Sequence, residues 1–243
     1  MILNKIRNDV DYYTYHKKRF DMILHMIDKE MTFVGEISIL NIGVTGFDIV
    51  LFEKYRNLTT LDLHERYPEI EDKLNGKKHI VVNLNKLYDR DRWPIITDKF
   101  DVILFCEVIE HLTSAPEYVM DFLHGLLADN GTLILQTPNA VSITNRIKMM
   151  AGRNPFDRIR HSSSVTSHGH IHEYTKKELY DICKETNFSV TLYKCKNYFN
   201  KPKTWKFPIN LLYKVYLSLT GLIPSFRDGH TLLLRRSTFQ RRL

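Results

Sequence analysis

Cysteine is scarce in this chain: Cys106, Cys183 and Cys195 are the only three, and none forms a Cys-x-x-Cys or other ligand spacing. Such an odd, sparse set argues against a disulfide scaffold or a thiolate zinc site. It fits free thiols in a reducing cytoplasm. Glycine and proline are modest too, at 10 and 8 of 243 residues, which argues against a disordered chain. No internal repeat or low-complexity tract occurs, and residues 1–10 are mixed and polar, so no signal peptide is expected. Long apolar runs are also missing. Segment 208–224 is apolar over about 17 residues but carries Lys214, which makes it marginal as a membrane span. Its polar residues Asn210, Lys214 and Ser218 recur four apart, leaving a narrow polar stripe. The expectation is a helix buried on most sides, or one lying on a membrane or a partner subunit.

Acidic residues are outnumbered: 35 Lys and Arg face 28 Asp and Glu, for a net charge of +7. Arg235, Arg236, Arg241 and Arg242 crowd the end, and Arg146, Lys148, Arg153, Arg158 and Arg160 form a second basic run. Basic surface favours anionic partners, whether nucleic acid, phospholipid headgroups or sugar phosphates, and the second run can clasp a phosphate or carboxylate. Both clusters also suit a solvated face.

What is present is an alternating pattern. The chain is 43% hydrophobic, enough for a sizeable core in one α/β domain with additions. Segments 37–42, 58–63, 79–84, 100–105 and 132–136 read as strands, the fifth introduced by the turn Asp129-Asn130-Gly131. Helical segments lie between them, for example 115–127. Before them, Phe20, Ile23, Leu24 and Ile27 recur at helical spacing in a segment near 11–30. Strands alternating with helices predict a parallel sheet covered on both faces. Later, Thr175 with Glu178 three residues on predicts a capped helix over 175–186. Segments 188–193 and 231–235 can pair as antiparallel strands.

Residues 100–112, Phe-Asp-Val-Ile-Leu-Phe-Cys-Glu-Val-Ile-Glu-His-Leu, are the most informative stretch. An apolar strand stops at Glu107. If a helix begins there, Glu107, Glu110 and His111 lie on or near one face. An open α/β sheet places its chemistry at such a strand end. Asn41-Ile42-Gly43-Val44-Thr45-Gly46 closes the first core strand, and Asp62 closes the second, nineteen residues beyond Gly43. Glycines there admit a cofactor close to the backbone, and the carboxylate can accept from ribose hydroxyls.

On these pieces the chain resembles a class I S-adenosylmethionine-dependent methyltransferase over about residues 35–236. The match also includes Asn83-Leu84-Asn85, residues 131–139 ending in Thr-Pro-Asn, and a seventh strand inserted antiparallel after a reversed sixth. The resemblance implies a Rossmann-like seven-stranded sheet, mostly parallel with an antiparallel last strand and helices on both faces. It implies one domain: a helical lid at 1–34, a cofactor core at 35–139, an acceptor-side insert at 140–174, and a C-terminal half at 175–243 with the 208–224 helix. Gly43 and Gly46 would flank the methionine portion of S-adenosylmethionine, Asp62 the ribose and Asn83 the adenine amine, with Asn41 and Glu107 completing the cofactor set. The chain departs from the family's first loop, which usually carries an acidic residue at Asn41 and one residue more. Asn83 stands where many members have Asp.

His168, His170 and His172 fall within five residues of one another, ahead of the capped helix. Glu107, Glu110, His111 and His170 are similar in pattern to the metal site of small-RNA terminal 2′-O-methyltransferases. Ubiquinone-pathway O-methyltransferases share the Glu-x-x-Glu-His half. That likeness implies Mg²⁺ or Mn²⁺ on the four residues, holding a substrate hydroxyl. Without a metal, His111 or His170 would serve as general base, with Glu107 beside them. Tyr12, Tyr13, Tyr15, His16 and Arg19 would lid the cofactor, or form a partly exposed helix.

The expected activity is methyl transfer to a hydroxyl of a small-molecule, glycan or lipid-linked acceptor, of the anionic kind that the basic run suits. Alternatives are methylation of the 3′-terminal ribose of an RNA and a non-catalytic S-adenosylmethionine-binding partner protein. A nicotinamide dehydrogenase is disfavoured because the first loop lacks the full Gly-x-Gly-x-x-Gly. The expected location is the cytoplasm, with peripheral membrane or subunit contact through 208–224.

Overall fold

The structure is a computed structural model that describes residues 2–30, 37–63, 76–156, 169–198 and 209–237, with side chains from Thr14 in the first segment and from Lys214 in the last. Seven strands share one sheet: β1 (Ser38–Ile42), β2 (Asn57–Asp62), β3 (Lys78–Val81), β4 (Phe100–Cys106), β5 (Leu127–Pro138), β6 (Phe188–Lys196) and β7 (Gly229–Arg236). Their order is β3-β2-β1-β4-β5-β7-β6. Strands β1 to β5 pair in parallel, and β7 runs antiparallel to both of its neighbours. The alternating pattern predicts the parallel part of this sheet, and the resemblance implies its Rossmann-like, seven-stranded, mostly parallel form.

One detail corrects the expectation. Strand β6 is not reversed: being antiparallel to β7, it runs in the same direction as β5. A helical crossover returns the chain to parallel, and the long connection that carries the helix Ile209–Leu222 turns it around into β7.

Among the described residues six α-helices accompany the sheet: α1 (Ile2–Glu30), α2 (Phe47–Lys54), α3 (Pro116–Leu126), α4 (Ile143–Met150), α5 (Lys176–Glu185) and α6 (Ile209–Leu222). Side chains along β4 alternate between two cores, as a period of two requires. Val102 and Leu104 meet Phe20, Ile23 and Ile27 of α1 and Leu51 of α2. Ile103 and Phe105 belong with Val119 and Leu123 of α3 and Leu179 and Ile182 of α5. Each of these large apolar side chains contributes about 1.5–3 kcal/mol by leaving water. Helix α1 therefore buries the face its spacing predicts, while Lys17, Lys18 and Lys29 stay exposed.

The predicted cap on α5 is a reciprocal one. Thr175 Oγ1 accepts from the Glu178 N–H at 3.3 Å, and Glu178 Oε2 accepts from the Thr175 N–H at 2.7 Å. Strand β5 starts earlier than its apolar core suggests. Phe100 pairs with Leu127 but Val102 with Thr132, so Asp129, Asn130 and Gly131 form a bulge inside the strand rather than a turn before it.

Of the two expectations for helix α6, burial on most sides does not hold over its described side chains: Val215, Leu217 and Leu222 are exposed, and from Lys214 to Leu222 Thr220 is the buried residue. Its polar side does the docking: Asn197 Nδ2 donates to Thr220 Oγ1 at 3.0 Å, and Tyr216 OH donates to Asn197 Oδ1 at 3.0 Å. Among the described residues no helix is long and apolar enough to cross a membrane.

Candidate active site

The strand order reverses between β1 and β4, which opens a crevice at their carboxyl ends. The chain leaves β1 through Gly43, whose φ of 83° lies in the left-handed region that glycine enters without steric cost. Its N–H donates to the Leu61 carbonyl at 2.9 Å, and a Cβ there would meet Val108 Cγ2 at 3.4 Å. Gly46 has ordinary right-handed backbone and N-caps α2. Asp62, ending β2, accepts from the N–H groups of Val44 at 2.8 Å and Leu63 at 2.5 Å, which fixes its carboxylate against the glycine turn. Asn83 Oδ1 caps the short turn Leu84–Lys86 by accepting from the Asn85 N–H at 3.0 Å. Gly43, Asp62 and Asn83 line one cavity of about 150 Å³, with Val108 and His111 on its other wall.

The helix expected from Glu107 onward does not form there. Glu107 takes a left-handed backbone, φ 55°, and only a single 3₁₀ turn follows, Ile109–His111. The strand end and the turn therefore aim the three side chains differently. Glu107 pairs with Arg19 of α1 at 2.9 Å, both largely buried. Glu110 is fully buried: Thr137 Oγ1 donates to its Oε2 at 3.1 Å, while Oε1 has no hydrogen-bond partner. That oxygen lies 3.8 Å from His111 Nε2.

His111 Nδ1 donates to the Gly169 carbonyl at 2.8 Å, so Nε2 carries the lone pair. Its ring meets the His170 ring edge-on, centroids 5.0 Å apart. His170 is oriented the same way, Nδ1 donating to Glu173 Oε1 at 2.8 Å, and Asn145 Nδ2 of α4 donates to Glu173 Oε2 at 3.1 Å. Ligand atoms of Glu110, His111 and His170 all lie within 4.8 Å of one another. Glu107 is outside that group. His172 bonds Glu178 Oε1 at 3.3 Å instead, and His168 lies outside the described residues.

A family model of the methyltransferase domain matches residues 34–193, well over half of the chain. The chain belongs to the methyltransferase-domain family. No curated protein matches it in sequence. Among solved structures it is similar to an S-adenosylmethionine-dependent methyltransferase from Clostridium acetobutylicum, with 16% identity, a TM-score of 0.61, and coverage of 96% of this chain and 94% of that one. It is also similar to the N-methyltransferase NodS of Bradyrhizobium japonicum, solved with S-adenosyl-L-homocysteine, at 13% identity and a TM-score of 0.52 over 90% of this chain and 86% of that one. A third is the 1,6-didemethyltoxoflavin-N1-methyltransferase of Burkholderia thailandensis, at 13% identity and a TM-score of 0.54 over 97% and 85%. At these identities the likeness is one of fold.

Two residues of this methyltransferase matter more than their spacing suggests. Asp48, the second residue of α2, supplies the acidic group that Asn41 does not. Its Oδ1 accepts from Asn41 Nδ2 at 2.7 Å and its Oδ2 from the Thr45 N–H at 2.7 Å, so it braces the short glycine loop from below. Burial pushes its carboxyl up to about 7, against the pull of those donors. Glu173 is the other: it stands three residues after His170, the one signal that could have paired them.

Burial also sets the charges at the β4 edge. It pushes Glu110 well above its ordinary value, and the Glu107 charge adds to that. It raises Glu107 as well, against the Arg19 guanidinium. His111 is held below its ordinary value by burial; the Gly169 carbonyl opposes this and His170 adds to it. A neutral imidazole therefore faces the crevice near neutral pH.

Of the aromatic lid residues, Tyr15 is exposed and packs edge-on against His16, while Tyr12 and Tyr13 have no described side chains. In the basic run, Arg146 covers the Phe226 ring at 5.4 Å and Lys148 Nζ donates to the Pro155 carbonyl at 2.9 Å. Arg158 and Arg160 lie outside the described residues.

Proposed function

We propose that this methyltransferase moves a methyl group from S-adenosylmethionine to a hydroxyl of a small, glycan or lipid-linked acceptor, with Glu110, His111 and His170 activating that hydroxyl. The observation that carries the reading is the paired orientation of two imidazoles beside a buried, unpartnered carboxylate oxygen, one of the two, His111, lining the Gly43–Asp62–Asn83 cavity. An amine acceptor would need little beyond a way to lose its proton. A hydroxyl, far weaker as an acid, needs a base or an ion within reach.

The cofactor, when bound, supplies a methyl carbon on a positively charged sulfur. Asp62 is positioned to accept from the ribose, and Gly43 lets the backbone approach. His111 Nε2 takes the hydroxyl proton as the acceptor oxygen bonds to the methyl carbon and the carbon–sulfur bond breaks. His170, held by Glu173, keeps the acceptor side in register, and alignment of this in-line displacement supplies much of the rate.

The same three residues fit a divalent ion. One carboxylate and two imidazoles, each imidazole fixed through Nδ1 by an outer partner, form a donor set with room for substrate oxygens. Mg²⁺ or Mn²⁺ held there would lower the hydroxyl's pKa. Glu110 Oε1, buried without a partner, is the atom that such an ion would satisfy. A terminal RNA ribose is the second reading, favoured by this trio alone, since two neighbouring hydroxyls suit one ion.

Tritiated S-adenosylmethionine, offered with panels of hydroxyl and amine acceptors, tests the proposal. Label recovered in alkali-stable ethers supports it. Label recovered on nitrogen contradicts it.

A further inference from the structure

We infer that the face formed by α4, α6 and the turn Pro224–Phe226 is a docking surface for an anionic lipid bilayer. Among the described side chains of α6 the buried one is a threonine, Thr220 at 1% exposure, whereas Val215, Leu217 and Leu222 face water at 49%, 44% and 78%. Helix α4 does the same on its outer side, with Ile147, Met149 and Met150 at 58%, 60% and 88%. The two patches adjoin. Ile223 and Pro224 continue α6 directly, and the Phe226 ring lies under the guanidinium of Arg146 on α4. Exposed apolar side chains gathered this way mark an interaction site rather than scattered surface residues.

Charge selects the occupant. Residues 140–156 and 209–227 contain Arg146, Lys148, Arg153, Lys214 and Arg227, and no Asp or Glu at all. A second copy of the chain docked on the same face would oppose like charge to like charge. A nucleic acid would have no use for exposed methionine and leucine. A bilayer with anionic headgroups uses both: the aliphatic tips enter the acyl boundary while arginine and lysine stay at headgroup level. With no helix among the described residues able to cross a membrane, the chain would lie on the surface. The face also borders the site, because Asn145 of α4 holds Glu173 and through it His170. An acceptor held in the membrane would thus arrive beside the histidine pair. The docking itself does not depend on which acceptor is methylated.

Vesicle co-sedimentation tests it, using phosphatidylcholine alone and phosphatidylcholine with one part in three of phosphatidylglycerol. The full chain should pellet with the anionic vesicles only, and release as salt rises. Met150→Glu combined with Leu222→Glu should weaken that binding about tenfold or more. Both positions are exposed, so the variant should keep its melting temperature and its S-adenosylhomocysteine binding, which separates lost docking from lost fold or lost cofactor. Absence of the chain from the anionic pellet at low salt overturns the inference. So does equal binding by the double variant, or a dimer in light scattering that the same variant dissociates without any lipid binding.

Discussion

His111 and His170 share one device: each ring gives its Nδ1 hydrogen to a fixed oxygen, a backbone carbonyl in one case and Glu173 in the other. Orientation, more than basicity, is what these bonds supply. His170→Gln should therefore lower methyl-transfer turnover by about 10²-fold while leaving S-adenosylhomocysteine affinity unchanged, as read by kinetics and calorimetry side by side. Asp62→Ala should do the reverse. If Asp62 accepts from the ribose as proposed, its loss should weaken S-adenosylhomocysteine binding about tenfold or more, a value that equilibrium titration gives directly. Asp48 links a residue to pH. Its folded value, raised by burial to about 7 from an ordinary 3.8, means that folding takes up a proton between those values. The stability it contributes is complete below about 4 and is lost as pH rises through about 7. Asp48→Asn, which puts an amide N–H where a donor already points, should destabilise by about 1–3 kcal/mol, and urea unfolding should show the gap to wild type shrinking as pH rises.

Among the elements, the contact of α1 with the end of β4 joins stability to the site. Arg19 and Glu107 meet at 2.9 Å with little exposure, so removing one partner leaves the other charge buried. Arg19→Met should cost about 3–5 kcal/mol, and adding Glu107→Gln should restore much of the loss, a coupling that a double-mutant cycle in urea would measure. Element by element, legibility followed locality. The α1 face, the alternating strands and the Thr175 cap were readable because short-range spacing causes them. The 107–111 turn was not. Helical spacing fits Glu107, Glu110 and His111, but the backbone amides of Ile171 and His172 donate to the Glu110 carbonyl, so a partner some sixty residues away holds the turn. The pattern of α6 likewise gives a helix and leaves its surroundings open, and the Asn197 contacts tell that Tyr216 and Thr220 lie on its inner side. Asp48 escaped notice because the acidic brace of the glycine loop sits on the following helix and acts through space on Asn41.

On the scale of the whole molecule, the sheet order brings the ends of β1, β2 and β4 to one edge, and a loop more than sixty residues after Asn83 closes it with His170. In the proposed reading, cofactor and acceptor approach from different sides: the glycine turn would hold one, and the histidine pair beside α4 would meet the other. This division explains how family and fold can be plain while the acceptor varies, since the acceptor wall is built from segments outside the strand core. The most direct test of the central claim is calorimetric titration of the purified chain with S-adenosylhomocysteine, first with EDTA and then with Mn²⁺ added. One-to-one binding in EDTA, followed by a separate Mn²⁺ site that Glu110→Gln abolishes, is the predicted result. Absence of nucleoside binding under every condition would contradict it.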